Sequence, residues 1–216
     1  MTAEASASGR DGSSAAAAAA PTLRVLCRSA AQVDAALTLP WLGEVVLDFL
    51  EVQGLREAAA AVQAAGTRAV VATPRILKPD EHRLWRFYLG LGADALLLRS
   101  AGLLQQLMAL GGPGAAVPGV PRQVPDLEGD FSLNAANAIA ADRLLRAGLA
   151  RLTPTHDCNA AQLQAMARLL GARASSLEVI LHQHLPIFHT EHCVFCRFLS
   201  SGSDYRDCGG CGRACC

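Results

Sequence analysis

From residue 22 onward the chain alternates short apolar runs with stretches of helical period, and this alternation leaves it very few architectures. Runs that suit strands are "LRVLCR" (23–28), "EVVLDF" (44–49), "RAVVAT" (68–73), "ALLLRS" (95–100), "DLEGDFSL" (126–133), "LARLTP" (149–154) and "LEVILHQH" (177–184). Between them lie "AAQVDAALTL", "LREAAAAVQAAG", "PDEHRLWRFYLGLG", "AGLLQQLMALGG", "NAANAIAADRLLRAG" and "NAAQLQAMARLLG", whose apolar residues recur with the period of a helix. Gly66, Gly92, Gly111, Gly148 and Gly171 each follow such a stretch, where a helix stops. A strand and a helix repeated in this way are what parallel βα units require.

Seven runs, with an eighth candidate in "CVFCRFLS", predict an α/β fold: a (β/α) TIM-like barrel, complete or partial, with a Cys-rich C-terminal tail. An open doubly wound sheet is the alternative. Against it, the first run is not followed by a Gly-rich phosphate turn, and the "GLG" at 90–92 ends a helical stretch instead of opening one. The Pro/Gly-rich stretch 111–126 reads as a surface insertion.

Residues 1–21 are rich in Ala, Ser and Gly, a composition that cannot pack a core, and read as disordered. They lack the basic start and apolar centre of a signal peptide, and Glu4 and Asp11 argue against a transit peptide. Residues 22–192 are assigned to the barrel module and 193–216 to a metal-binding tail. No run approaches the roughly 20 apolar residues of a membrane span. A soluble, intracellular protein is expected, with plastid and cytoplasm both open. The 19 basic residues balance the 19 acidic ones, so there is no global footprint of a nucleic-acid binder, although a local patch would suffice for RNA.

In a barrel the C-terminal strand ends line the pocket. Those ends carry Cys27 and Arg28, Asp48, Thr73 and Arg75, Arg99, Asp130 with Ser132 and Asn134, Thr153 with Thr155, His156 and Asp157, then His182 and His184. Strand ends meet solvent and are often polar for that reason alone. As a set, these arginines and histidines on one mouth suit an anionic small molecule or a nucleotide.

The tail is the densest chemical signal. Six of the eight cysteines fall within the last 33 residues. Cys193 and Cys196 form C-x2-C, and Cys208, Cys211 and Cys215 follow across a Gly-rich turn. The spacing suits a zinc knuckle, and equally an iron–sulfur cluster, which takes four thiolates at irregular spacing. Free thiols in a loose terminus are the bland alternative. His182, His184, His189 and His192 could add imidazole ligands or line the pocket.

The stretches "GDFSLNAANAIAADRLLRAGLARLTPTHDCNAAQL" and "LEVILHQHLPIFHTEHCVFCRFLSSGSDYRDCG" resemble the C-terminal half of a barrel module of peptidase family U-32, the collagenase-like peptidases. The resemblance runs from residue 22 to about 210 and is closest to the second module of long plant, algal and cyanobacterial-type members. It implies that the chain is a fragment or shortened form whose parent carries a further N-terminal U-32 module. It also implies an activity different from the family's name. The better-understood branches are oxygen-independent hydroxylases of RNA bases or quinone rings, which hold a [4Fe-4S] cluster on four cysteines and take oxygen from prephenate. Long members resemble the enzyme that hydroxylates a cytidine of large-subunit ribosomal RNA, so ribosomal or transfer RNA is the implied partner. By position, Cys193 and Cys208 match cluster cysteines, Asn134 and Asn137 match an "LN-x-x-N" element, and Glu178 matches the acid opening the strand before the cluster. Where the family continues Asp-Cys-Gly-x-Pro-Cys, this chain has "DCGGCGRACC", as though the motif were displaced by three residues with Ala214 in the proline's place.

Two other functions stay in view: a collagenase-like protease, and a non-catalytic accessory or RNA-binding barrel module. For proteolysis the sequence offers neither G-x-S-x-G nor H-E-x-x-H. A Cys/His pair from Cys193 with His189 or His192 would lack a recognisable orienting residue.

Overall fold

The structure is a computed structural model and describes residues 22–78 and 80–186. The chain divides after Val179 into two units, and the first of them holds the whole sheet. Six strands form it: β1 (Val25–Cys27), β2 (Glu44–Leu47), β3 (Arg68–Ala72), β4 (Ala95–Leu98), β5 (Asp126–Gly129) and β6 (Arg151–Leu152). Each pairs in parallel with the next in chain order. That order has no reversal, which rules out the doubly wound alternative, because a doubly wound sheet changes direction at a switch point.

Helices α1 (Ala30–Leu37), α2 (Leu55–Ala64), α3 (His82–Gly90), α4 (Ala101–Ala109), α5 (Ala138–Arg146) and α6 (Ala160–Leu170) follow the strands in turn. Their starts are written locally. Ser29, Asn137 and Asn159 cap α1, α5 and α6 by accepting from the backbone N–H three residues on, and Gln162 completes a capping box with Asn159. At the far end of α5, Gly148 takes φ 113° and lets the chain turn into β6.

Period-two alternation gives the sheet two different faces. Cys27, Val45, Leu47, Ala69, Val71, Leu96, Leu98, Leu127 and Leu152 join the helices in the main core. Val46, Val70, Ala72, Ala95 and Leu97 form a second, smaller cluster on the opposite face. That second face is concave. The Arg24 side chain, just before β1, reaches Glu128 of β5 at 2.5 Å, although four strand spacings in a flat sheet would separate their backbones by about 19 Å. The architecture is therefore a curled parallel sheet wrapped by helices, a partial barrel.

Three runs are shorter as strands than the sequence suggests. The run 126–133 pairs only through Gly129, then tightens into a 3-10 turn at Phe131–Leu133. The run at 149–154 keeps two strand residues. At 177–184, expected to be the seventh strand, only Leu177 bridges to Leu152 and Glu178 N–H donates to Leu152 C=O. Pro154 explains the stop: the next parallel rung needs an N–H from residue 154, and proline has none. The eighth candidate, "CVFCRFLS", lies outside the described residues, as do residues 1–21. No helix among the described residues is long and apolar enough to cross a membrane.

Candidate functional site

The residues at the C-terminal ends of the strands meet around two carboxylates, Asp130, which is buried, and Asp48, which is partly buried. Asp48, just past β2, accepts from Arg99 Nη1 at 2.6 Å, and Arg28 Nε lies 3.4 Å from its other oxygen. Arg99, just past β4, places its Nε 3.3 Å from Asp130, which follows β5. Ser132 Oγ lies 3.0 Å from both an Asp130 carboxylate oxygen and the Arg99 carbonyl, and its single hydroxyl proton serves one of them at a time. Thr73, fully buried after β3, donates to the Leu97 carbonyl, and its hydroxyl accepts from Arg99 N–H.

These positions follow from the alternation of the strands. A residue one step past a strand, in phase with Val46 or Leu97, points to the concave side, and Asp48 and Arg99 are in that phase. Burial alone would push the Asp48 carboxyl up, but the hydrogen bond and charge of Arg99, with the charges of Arg28 and Arg75, hold it below the usual aspartate range. Burial works against the Arg99 guanidinium, yet Asp48 and Asp130 outweigh it and raise its pKa.

Arg75 and His156 meet on a residue that strand-end polarity does not single out. The Arg75 guanidinium lies 4.9 Å above the ring of Phe131, and His156 packs against the same ring at 4.9 Å, tilted by 66°. Phe131 is apolar and sits one residue beyond Asp130, so a search for polar strand ends could not pick it out.

The remaining expected site residues fall into three groups. Asn137 is exposed and its carboxamide accepts from Ala140 N–H as the cap of α5, while Asn134 is exposed and left-handed, at φ 57°, where the 3-10 turn ends. Both have backbone work that accounts for their presence. His182 and His184 belong to the second unit, with ring centroids 6.4 Å apart. His189, His192 and the cysteines Cys193, Cys196, Cys208, Cys211 and Cys215 lie outside the described residues. Among the described residues no group of three or more His, Cys, Asp or Glu side chains is arranged to hold a metal. Cys27 is buried, and burial pushes its thiol pKa up, away from thiolate chemistry.

The opposite end of the concave face carries a second polar layer. Arg24 pairs with Glu44 at 2.7 Å, Glu128 at 2.5 Å and Glu178 at 2.6 Å. Arg68 pairs with Glu44 and Glu128, both at 2.7 Å, and with Asp126 at 3.0 Å. Arg151 pairs with Glu44 at 2.7 Å and Glu178 at 3.3 Å. Of this layer only Glu178 stood out in the sequence. A signal was present: six of the seven runs, all but 95–100, carry a charge within their first three residues, and Arg24, Glu44, Arg68, Glu128, Arg151 and Glu178 alternate in sign along the chain. The partial barrel thus has a floor of paired charges, an apolar middle and a mouth in which Arg28 and Arg99 meet Asp48 and Asp130.

No family model matches the sequence, and no curated protein matches it. A solved structure does. The fold is shared with the U32 peptidase Mk0906. The two structures superpose with a TM-score of 0.53 and 15% sequence identity, over 74% of this chain and 67% of the other. The likeness agrees with the sequence resemblance at the level of architecture, a parallel α/β sheet curled toward a barrel.

Proposed function

We propose that this chain is a U32-type barrel module of an oxygen-independent, iron–sulfur-dependent RNA base hydroxylase, whose mouth holds an anionic oxygen donor of the prephenate type. The observation that carries this reading is the mouth itself. Arg28, Arg75 and Arg99 stand at one end of the curled sheet, where Arg28 and Arg99 contact Asp48 and Asp130 while the guanidinium of Arg75 lies over Phe131 and is open to an anion. The shared fold with a U32 peptidase is consistent with it.

The metal part of the proposal rests on sequence spacing. Cys193 and Cys208, with Cys211, Cys215 or Cys196, would supply the thiolates, and zinc is the alternative occupant. A [4Fe-4S] cluster would supply electron transfer. The chain's own part is to bind and orient. A guanidinium fork fixes a carboxylate in direction as well as position, which a reaction between two bound partners requires. For peptide hydrolysis, by contrast, the hydroxyls of the mouth that meet a carboxylate, Ser132 at Asp130 and Thr155 at Asp157, have no histidine hydrogen-bonded to them among the described residues.

The test is chemical. Protein purified without oxygen should contain iron and sulfide, and its parent should add one oxygen atom to a base of ribosomal or transfer RNA, read as a mass change in the digested RNA. Cys193→Ser should abolish both. Cleavage of gelatin that survives metal removal, with RNA mass unchanged, would replace this reading with the protease. Stable folding without iron and with neither activity would leave an accessory module.

A further inference from the structure

The three arginines of the mouth keep unequal company, and this separates their roles. Arg99 has a side chain only 13% exposed and sits between two carboxylates, Asp48 and Asp130. Its own backbone is tied at both polar atoms, the N–H to Thr73 and the carbonyl to Ser132. Such a guanidinium is already neutralised and has little freedom to turn toward a ligand. Arg28 is the opposite case, with a side chain 67% exposed and one long contact to Asp48. A surface pair of that kind holds neither partner firmly.

Arg75 is different from both. It is half-buried, and its charged group is held by the face of Phe131. Phe131 is 7% exposed and is wedged from another side by His156. Among the described residues no carboxylate lies within ion-pair distance of Arg75. A cation–π contact uses no N–H group as a donor to an acceptor atom, so the guanidinium keeps N–H groups to fork onto a carboxylate or phosphate. Arg75 is therefore the arginine of the mouth that has no carboxylate in ion-pair contact, its charge acting on Asp48 from a distance and its guanidinium held over an aromatic ring.

We infer that Arg75, held over the ring of Phe131, is the anion-binding residue of this mouth and takes one carboxylate or phosphate group, while Arg99 is a positioning residue that holds Asp48 and Asp130 in place. The inference rests on the reading of the mouth as a donor site, but it does not depend on what reaction follows. The bound oxyanion belongs either to a small carboxylic acid or to a nucleotide.

Titration calorimetry on the 216-residue chain, with malonate, inorganic phosphate and cytidine monophosphate as probes, separates these sources. Preference for malonate assigns a small acid, and preference for the nucleotide over free phosphate assigns a nucleotide. Either preference supports the inference if Arg75→Lys weakens that binding about ten-fold or more, the loss expected for a charge-assisted fork. Phe131→Leu keeps the charge and removes the platform, and should weaken binding about two- to five-fold, the scale of an exposed cation–π contact. Arg99→Lys should lower the unfolding temperature, whereas Arg75→Lys should not, because only Arg99 is built into the buried network. The inference is overturned if none of the probes binds, or if Arg75→Lys binds as tightly as the parent at an unchanged unfolding temperature. Binding that behaves as expected in a protein without iron and without RNA oxidation would sink the hydroxylase and leave Arg75 in its role.

Discussion

Replacing Arg24 by methionine removes the side chain that contacts Glu44, Glu128 and Glu178 most closely, at 2.5–2.7 Å, and leaves Arg151, which reaches the same three at 2.7, 4.0 and 3.3 Å. The floor then holds Arg68 and Arg151 against three glutamates, one of which, Glu128, is 2% exposed at its side chain. Glu128 keeps Arg68 as its close partner, and Glu178 keeps Arg151 and the Thr153 hydroxyl, both at 3.3 Å. Each of the three glutamates thus keeps an arginine, so the loss falls below that of a stranded buried charge and is about 1.5–3 kcal/mol, the scale of a charge-assisted hydrogen bond. For a domain of this size each kcal/mol lowers the midpoint by about 2–4 °C, so Arg24→Met should melt about 3–12 °C below the parent. Circular dichroism on heating, with urea titration as a check, reads the effect. The double variant Arg24→Met, Glu128→Leu separates charge from packing. It restores the balance of two arginines and two glutamates, and should recover at least about 1 kcal/mol relative to Arg24→Met, because replacing both partners by apolar groups is milder than removing one. A shift of less than about 2 °C in the single variant, or a double variant no better than it, would refute the view that the floor acts as one coupled network.

Acid should weaken the fold through the same residues. Burial alone would raise the Glu44 pKa, but hydrogen bonds from Arg68, Arg24 and Arg151 hold it below the usual glutamate value, and Asp48 is lowered in the same sense. Carboxyls lowered in the folded state stabilise it above their unfolded pKa, and that contribution is lost as pH falls through the folded values. Urea midpoints should therefore be flat near neutrality and drop below about pH 4, and a midpoint unchanged down to pH 3 would contradict this. Packing is tested at Gly129, where an added Cβ would sit 2.7 Å from the terminal methyl carbons of both Leu149 and Leu152. Gly129→Ala should cost about 1–3 kcal/mol as overpacking, and a neutral result in urea unfolding would mean that the leucines move aside freely.

Most of the scaffold was legible because it is coded locally. Apolar runs separated by helical stretches specify parallel βα units, and the caps at Ser29, Asn137 and Asn159 mark where helices begin. Misjudged lengths trace to single residues whose effect depends on a neighbouring strand. Pro154 withholds an N–H that matters only because the segment after Leu177 would pair there. The mouth was legible in part. Asp48, Arg99 and Asp130 could be read from strand phase, but Phe131 could not, since its value as a platform depends on Arg75 and His156 arriving from other loops.

The sequence by itself determined the order of strands and helices, the two faces of each strand, and which charged residues stand at which strand end. All of these follow from period and neighbour, and need no knowledge of distant contacts. Only the tertiary structure decided what those charges do. Curling the sheet brings Arg24 onto Glu128 from four strands away, so charges that look like ordinary solvated strand ends become a floor of paired charges. The same curl gathers Asp48, Arg99 and Asp130 into one network and leaves Arg75 on its ring without a carboxylate partner among the described residues. Ion pairing depends on distances between residues far apart in the chain, and closure of the sheet sets those distances.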